Sequence, residues 1–376
     1  MTRVVILQEY IPSYRVPFFT MLRDKASAHD IEIVVASGDP RAEQSLRGDA
    51  AWLEWFTPIK QRELSLFGRR IVFRYTRAAV AGADLLILEQ ARRNIDAYFR
   101  LVSRGKAGPS IALWGHGKDY TRPPKLFDLF LRRWLTLRAD WFFAYTNGGA
   151  SAVESIRFPP RRITVVQNSI DTVALAREFK GINPGDDNLR RVEEDLHGKT
   201  AIFLGALDDS KRLPFLRDAC LLAHQLDPEF RLIIVGDGPL RSEVQVWAST
   251  FTWLHYAGSA QSHEKASLLA VSQVIAMPGA VGLVAVDSFA VGRPVITTEW
   301  SWHGPEFEYL DHGRNAIITE NETTAYGIAL LEALTNKTAL TLMSRECVRD
   351  SKIYTVEAMT DNFLAGIRNI LRDGRR

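Results

Sequence analysis

The stretch Met277-Pro-Gly-Ala-Val-Gly-Leu-Val-Ala-Val-Asp-Ser-Phe-Ala-Val-Gly-Arg-Pro-Val-Ile296 reads as a short strand, a glycine-bearing turn, a helix and a second strand. That sequence of elements is the building unit of a parallel sheet and places the chain among α/β proteins. The turn also has a chemical use. The first N–H groups of a helix lack intrahelical acceptors and carry the positive end of the helix dipole, so a diphosphate fits in front of them. Gly279 and Gly282 let the backbone approach an anion, and Ala280, Val281, Gly282, Leu283 and Val284 form the bend that offers the amides. Asp287, one turn into the helix, is placed to accept hydrogen bonds from a ribose. A tight turn with no ligand is the competing account of the glycines.

Outward from this segment the same alternation continues in both directions. Strands are expected over 4–9, 31–37, 84–90, 111–114, 141–146 and 163–166, with helices over 16–26, 95–103, 126–138 and 150–157. A second series has strands over 201–204, 231–235, 253–256, 274–277 and 294–297, with helices over 213–225 and 240–249. Between the two series, residues 174–200 are charged and contain Gly and Pro, which reads as a connection. The expected organisation is a first Rossmann-like domain over 1–173, a connection over 174–200, a second such domain over 201–355, and a closing helix over 356–376. Val356, Met359, Phe363, Ile367 and Ile370 fall at helical spacing in that last segment, with Thr355 as a candidate N-cap. Their apolar stripe needs a partner surface.

The 376 residues suit two domains, and the net charge of +3 suits no single class of partner. The charge is uneven, however. Positions 60–140 hold 17 Lys and Arg against 7 Asp and Glu, interleaved with aromatics as in Phe127-Asp-Leu-Phe-Leu-Arg-Arg-Trp134. A solvated helix face and a contact with anionic lipid, or with an anionic lipid-linked acceptor, both account for this. No nucleic-acid motif accompanies the charge, so nucleic acid is not an expected partner. Cys220 and Cys347 lack ligand spacing and fit a reducing cytoplasm. The N-terminus reads as a strand rather than a signal peptide, and no apolar run approaches a bilayer span. The expected location is the cytoplasm, with the inner face of the cell membrane as a peripheral site.

The segment from Gly282 through Val295 resembles the signature of retaining glycosyltransferases of family 4. In that family a Glu precedes a Gly-Phe-Gly-Leu-like turn and a second Glu lies in the following helix, before Ala-x-Gly-x-Pro-Val. Asp287 takes the second acidic position, which implies contact with the nucleotide ribose. Gly279 takes the first, where the family's carboxylate contacts the donor sugar, and so departs from the pattern. Phe203-Leu-Gly-Ala-Leu-Asp-Asp-Ser-Lys-Arg-Leu213 is similar to the family's first donor-domain strand and loop, which puts Lys211 at the lysine that neutralises the diphosphate. Ala206 stands where many members carry an arginine, and Arg212 is the candidate substitute. Val235-Gly-Asp-Gly-Pro-Leu240 resembles the turn beside the nucleotide, which brings in Gly236, and Gly258 ends a strand whose backbone often contacts the base. Val166-Gln-Asn-Ser-Ile-Asp171 resembles the stretch that leads out of the first domain. Glu306, in Trp302-His-Gly-Pro-Glu306, resembles the later Gly-x-Pro-Glu turn and is the candidate to hold the sugar in place of the missing acid.

In the first half, Leu113-Trp-Gly-His-Gly-Lys-Asp-Tyr120 follows a strand, and a ligand can approach a histidine flanked by glycines closely. The resemblance places His116 over the donor sugar. Lys118 and Asp119, with Tyr14 and Arg15 from the loop after the first strand, are the acceptor-side candidates. The resemblance implies a GT-B architecture, two doubly wound domains facing across a cleft with the closing helix over 356–376 crossing back to the first domain, and retaining transfer of a hexose or deoxyhexose from a nucleotide-diphosphate sugar. The expected acceptor is a glycan or lipid-linked precursor of a cell-surface polysaccharide. Cleavage leaves negative charge on the departing diphosphate, which Lys211 and the amides would stabilise; no cofactor or metal is expected. Two other readings use the same residues: an epimerase of the same architecture, and a non-catalytic nucleotide-sugar binder or assembly partner, which Gly279 and Ala206 favour.

Overall fold

A computed structural model describes every residue except 41–49, 67, 68, 104, 106, 107, 121, 122, 183–197, 261 and 374–376. The chain divides into two units, Met1–Ile170 with Val356–Arg376, and Asp171–Thr355.

The first unit runs β1 (Thr2–Gln8), α1 (Val16–Ser27), β2 (Ile31–Ser37), β3 (Thr57–Pro58), β4 (Gln61–Leu66), β5 (Arg69–Arg74), β6 (Leu85–Glu89), α2 (Ile95–Ser103), β7 (Ser110–Gly115), α3 (Leu126–Leu137), β8 (Trp141–Ala144), α4 (Asn147–Ser155) and β9 (Ile163–Val165). Seven strands form one parallel sheet in the order β3-β2-β1-β6-β7-β8-β9, and β4 and β5 form a separate antiparallel hairpin. Val4 to Leu7 and Leu85 to Leu88 are buried in both phases of the pleat, because helices cover both faces of the sheet. Ala97, Leu101, Leu135 and Val153 cover one face, and Phe18, Phe19 and Leu22 lie on the other.

The second unit begins with α5 (Val173–Gly181) and continues β10 (Lys199–Leu204), α6 (Leu213–Leu226), β11 (Phe230–Val235), α7 (Arg241–Thr250), β12 (Leu254–Gly258), α8 (Ser262–Val271), β13 (Val274–Ala276), α9 (Val284–Val291), β14 (Val295–Thr298), β15 (Ala316–Thr319), α10 (Thr323–Thr335) and α11 (Lys337–Asp350). Its sheet is parallel, in the order β12-β11-β10-β13-β14-β15. The last helix, α12 (Val356–Asp373), belongs to the first unit and packs on α1, with Phe363 stacked on Phe143 at 4.3 Å between centroids.

Three features differ from the sequence reading. The strands Gln61–Leu66 and Arg69–Arg74 pair antiparallel where the sequence shows only a basic stretch. β15 adds a strand to the second sheet. The expected connection over 174–200 starts as helix: α5 packs in the second unit, where the Arg293 guanidinium lies 5.1 Å from the Phe179 ring centroid and His263 meets Glu178 at 3.3 Å. Most of the remainder, 183–197, lies outside the described residues. The described residues contain no helix long and apolar enough to cross a membrane.

Candidate functional site

In the second sheet β10 lies between β11 and β13, so the loops leaving β10 and β13 diverge at the sheet's switch point, where open α/β sheets form a crevice. Those loops carry Lys211 and the bend before α9. Asp208 starts a single 3-10 turn over Asp209–Lys211 by accepting from Ser210 N at 3.0 Å, and Arg212 follows in the left-handed region at φ 56°. The turn delivers the half-buried Lys211, whose Nζ donates to Ala280 O. Burial lowers the lysine's pKa, while Asp208 and Glu306 pull it back up.

Gly279 lies against this loop: a Cβ there would come within 2.4 Å of Ser210 O and 2.7 Å of Lys211 Cα. A side chain therefore has no room at the position where the resembled family carries its first acid. The five amides expected to meet an anion divide into two groups. Ala280 N donates to Ser210 O at 2.8 Å and Val281 N to His303 Nδ1 at 3.2 Å. Gly282, Leu283 and Val284 have no backbone acceptor among the described residues, and they stand at the N-terminal end of α9. A Cβ on Gly282 would face open space, with Glu306 Oε2 nearest at 3.7 Å.

His303, which the sequence reading did not single out, holds this bend. Its Nδ1 accepts from Val281, so the ring proton is on Nε2, which donates to Thr298 O at 2.8 Å. Burial pushes the imidazole down to about 4, the bond to Thr298 opposes this, and the charges on Lys211 and Arg212 add to the lowering. The ring stacks on Phe307 at 4.0 Å. Glu306 is buried on the short 3-10 helix Pro305–Tyr309, within electrostatic reach of Lys211. Asp287 pairs through Oδ2 with Lys265 of α8 at 2.7 Å, a second residue the sequence did not mark.

Other candidates have structural contacts of their own. Arg212 reaches Pro278 O at 3.3 Å and Asn321 Oδ1 at 2.6 Å and lies over Phe215, so its guanidinium ties β13 to the loop after β15. Gly236, at φ 148°, admits no Cβ because Gly205 O would lie 1.8 Å away. Gly258, at φ 71°, would meet nothing within 4 Å; its O accepts from Gly236 N at 2.8 Å.

In the first unit His116 follows β7. Its flanking glycines serve internal packing: a Cβ on Gly115 would strike Gln90 Cβ at 2.6 Å, and one on Gly117 would strike Gly149 O at 2.2 Å. His116 is exposed and its ring meets that of Tyr145 edge-on at 4.6 Å. Desolvation first, then the Arg15 guanidinium, lower its pKa against the pull of Asp119, so the ring is neutral at pH 7. Asp119 is held by Arg92 at 2.9 Å and by Arg132 at 2.6 Å, and Lys118 Nζ lies over Tyr120. Tyr14 is exposed and Arg15 buried. Much of the basic surplus is internally paired as well: Arg70 and Arg93 on Glu9, Arg74 on Asp96 and Glu89, and Arg69 on Asp128.

Residues 198–336 match the family described as Glycosyl transferases group 1. No curated protein sequence matches the chain. Among solved structures, HepE from Anabaena in complex with UDP and glucose is similar at 15% identity and TM-score 0.69, over 98% of this chain and 100% of that one. A glycosyltransferase from Rickettsia africae is similar at 12% identity and TM-score 0.71, over 98% of each chain. The lipopolysaccharide outer core galactosyltransferase WaaB is similar at 14% identity and TM-score 0.63, over 98% and 99%. The fold of the chain is that of the GT-B glycosyltransferases, with parallel sheets in two Rossmann-like halves.

Proposed function

We propose, from the premise that residues 198–336 carry a Glycosyl transferases group 1 domain, that this chain is a retaining, metal-independent glycosyltransferase. It moves a hexose or deoxyhexose from a nucleotide-diphosphate sugar to a glycan or lipid-linked acceptor. One observation carries the reading: the amides of Gly282, Leu283 and Val284 have no backbone acceptor among the described residues, and they stand at a helix N-terminus on the bend that Lys211 contacts. A diphosphate supplies the missing acceptors there, and fixed donors of this kind favour the charge that grows on it as the glycosidic bond breaks. In this reading Asp287, steadied by Lys265, takes the ribose, and Glu306 beside Gly282 takes the sugar where Gly279 leaves no room for an acid. His116 is assigned to the reacting sugar, with Tyr14, Arg15, Lys118 and Asp119 on the acceptor side.

Thermal-shift screening against uridine, guanosine and adenosine diphosphate sugars identifies the donor, because a ligand of the folded state raises Tm. With that donor, Asp287→Ala is expected to weaken nucleotide affinity and His116→Ala to slow transfer at unchanged affinity, with Lys211→Ala losing both and chelators leaving the wild type active. Donor binding that persists in Lys211→Ala, or unchanged kinetics in all three variants, would overturn the assignment. A donor that binds and is never transferred or hydrolysed would favour the non-catalytic reading, which Gly279 keeps in play. A donor sugar that changes configuration with no acceptor present would favour the epimerase.

The protein is further proposed to touch an anionic membrane through the β4–β5 hairpin and α3. Arg69 of the hairpin bonds Asp128 of α3 at 2.7 Å and covers the Phe127 ring, and Leu64, Leu66, Leu126, Phe127 and Phe130 are exposed around this junction. Apolar side chains interleaved with cations suit a lipid surface of negative charge.

A further inference from the structure

We propose that the first unit contains an anion site built on the buried Arg15 guanidinium, and that its ligand is a phosphate or carboxylate group borne by the sugar acceptor. The second half of this rests on the glycosyltransferase reading above; the site itself does not.

Arg15 closes the 3-10 turn Ser13–Arg15 after β1 and is only 5% exposed. Its guanidinium carbon lies 5.1 Å from the Trp114 ring centroid, 5.5 Å from that of Tyr145 and 5.4 Å from that of Tyr14. The guanidinium's one hydrogen bond among the described residues runs from Nη1 to Met359 Sδ at 3.6 Å, a weak acceptor, and no described carboxylate pairs with it. Glu9, the acid nearest before it in the sequence and just past β1, gives its two oxygens to Arg70 and Arg93. Arg74 shows how this unit holds an arginine for structure alone: fully buried, it is bound by both oxygens of Asp96 at 2.9 Å and reaches Glu89 at 3.3 Å.

A buried cation without a counter-charge is costly, and hydrophobic replacements of buried charges are often neutral or stabilising. Buried donors are in excess nearby as well, since Trp114 Nε1 has no acceptor among the described residues. The complement of such a cluster is a group that only accepts, and the guanidinium fork matches the oxygens of a phosphate or carboxylate. The cluster lies where the loops after β1, β7 and β8 meet. His116 touches the Tyr145 ring that Arg15 also covers, and the charge on Arg15 helps keep that imidazole neutral. The donor's diphosphate is already assigned to the amides and Lys211 of the second unit, which leaves the acceptor to supply this anion: the phosphate of a lipid carrier or the carboxylate of an acidic sugar.

The test uses the full chain in a Lys211→Ala background, which takes the ammonium out of the other anion site, and measures Tm in inorganic phosphate and in D-glucuronate against chloride at equal ionic strength. At least one of the two is expected to raise Tm by about 2 °C, and adding Arg15→Met is expected to abolish the rise; Arg15→Gln makes the same comparison if the methionine variant does not fold. A rise with phosphate alone identifies a phosphorylated acceptor, and one with glucuronate alone an acidic sugar. No rise with either anion, or a rise that survives both Arg15 variants, would overturn the proposal. The readout involves no transfer, so failure here leaves the donor assignment standing, and failure of the donor assignment leaves the anion site standing.

Discussion

At Gly279 a glutamate has nowhere to go, because the Lys211 loop occupies the space a Cβ would take. The departure from the family pattern is thus built into the packing of two loops, and it moves the search for an acid near the sugar to Glu306. His303 shows the reverse case, a residue without a signal that the fold makes central. Its two nitrogens hold the bend at Val281 and the end of β14 at Thr298, and the bond that Nδ1 accepts from Val281 needs the neutral ring. The folded-state pKa is about 4 against an ordinary 6.5. As pH falls through this window the unfolded chain takes up the proton first, so stability is fully present above about 6.5 and declines toward about 4, by an amount on the order of 3 kcal/mol. Melting curves across that range are expected to show the decline in the wild type and a shallower one in His303→Gln. Identical pH profiles would show that His303 does not titrate in this way.

At the scale of elements, α9 and the hairpin carry the functional argument. The helix start was legible because glycine spacing and an acidic residue one turn later form a local pattern. The division of its amides was not, since which of them meet Ser210 O or His303 depends on loops far away in sequence. The β4–β5 hairpin went unread because its arginines dominate the composition, and most of them turn out to pair inward with Glu9, Asp96 and Asp128. What stays outward mixes apolar side chains, Leu64 and Leu66 among them, with the exposed Arg62 and Arg69, and from this a membrane prediction follows. Co-sedimentation is expected with vesicles containing phosphatidylglycerol and not with pure phosphatidylcholine, and Leu66→Glu with Phe127→Glu is expected to reduce it several-fold. Equal recovery of wild type and double variant with the anionic vesicles would remove this surface from the membrane-contact reading.

At the scale of the whole molecule, the chain leaves its first unit at Ile170 and returns to it at Val356. The stripe on α12 finds its partner there. Phe363 lies against Phe18, Trp114 and Phe143, and Gly366 comes so near that a Cβ would meet the Phe143 ring at 2.3 Å. Phe363→Ala is expected to cost the first unit about 3–5 kcal/mol, read by denaturant unfolding, while nucleotide-sugar affinity in the second unit is unchanged. A loss of donor affinity equal to the loss of stability would show that the units do not respond separately.

The sequence by itself determined the α/β class, most strands of both sheets, the helices of the first unit, and the placing of Lys211, the 279–284 bend and Asp287 on strand-end loops and a helix start, because periodicity, glycine spacing and capping are local properties of a chain. Only the tertiary structure decided which amides remain open, that His303 holds the 281 bend and Lys265 holds Asp287, that Gly115 and Gly117 serve packing, and that Arg15 is buried without an acidic partner among the described residues. Each of these depends on atoms far apart in sequence that become neighbours only once strands align and loops meet at their ends.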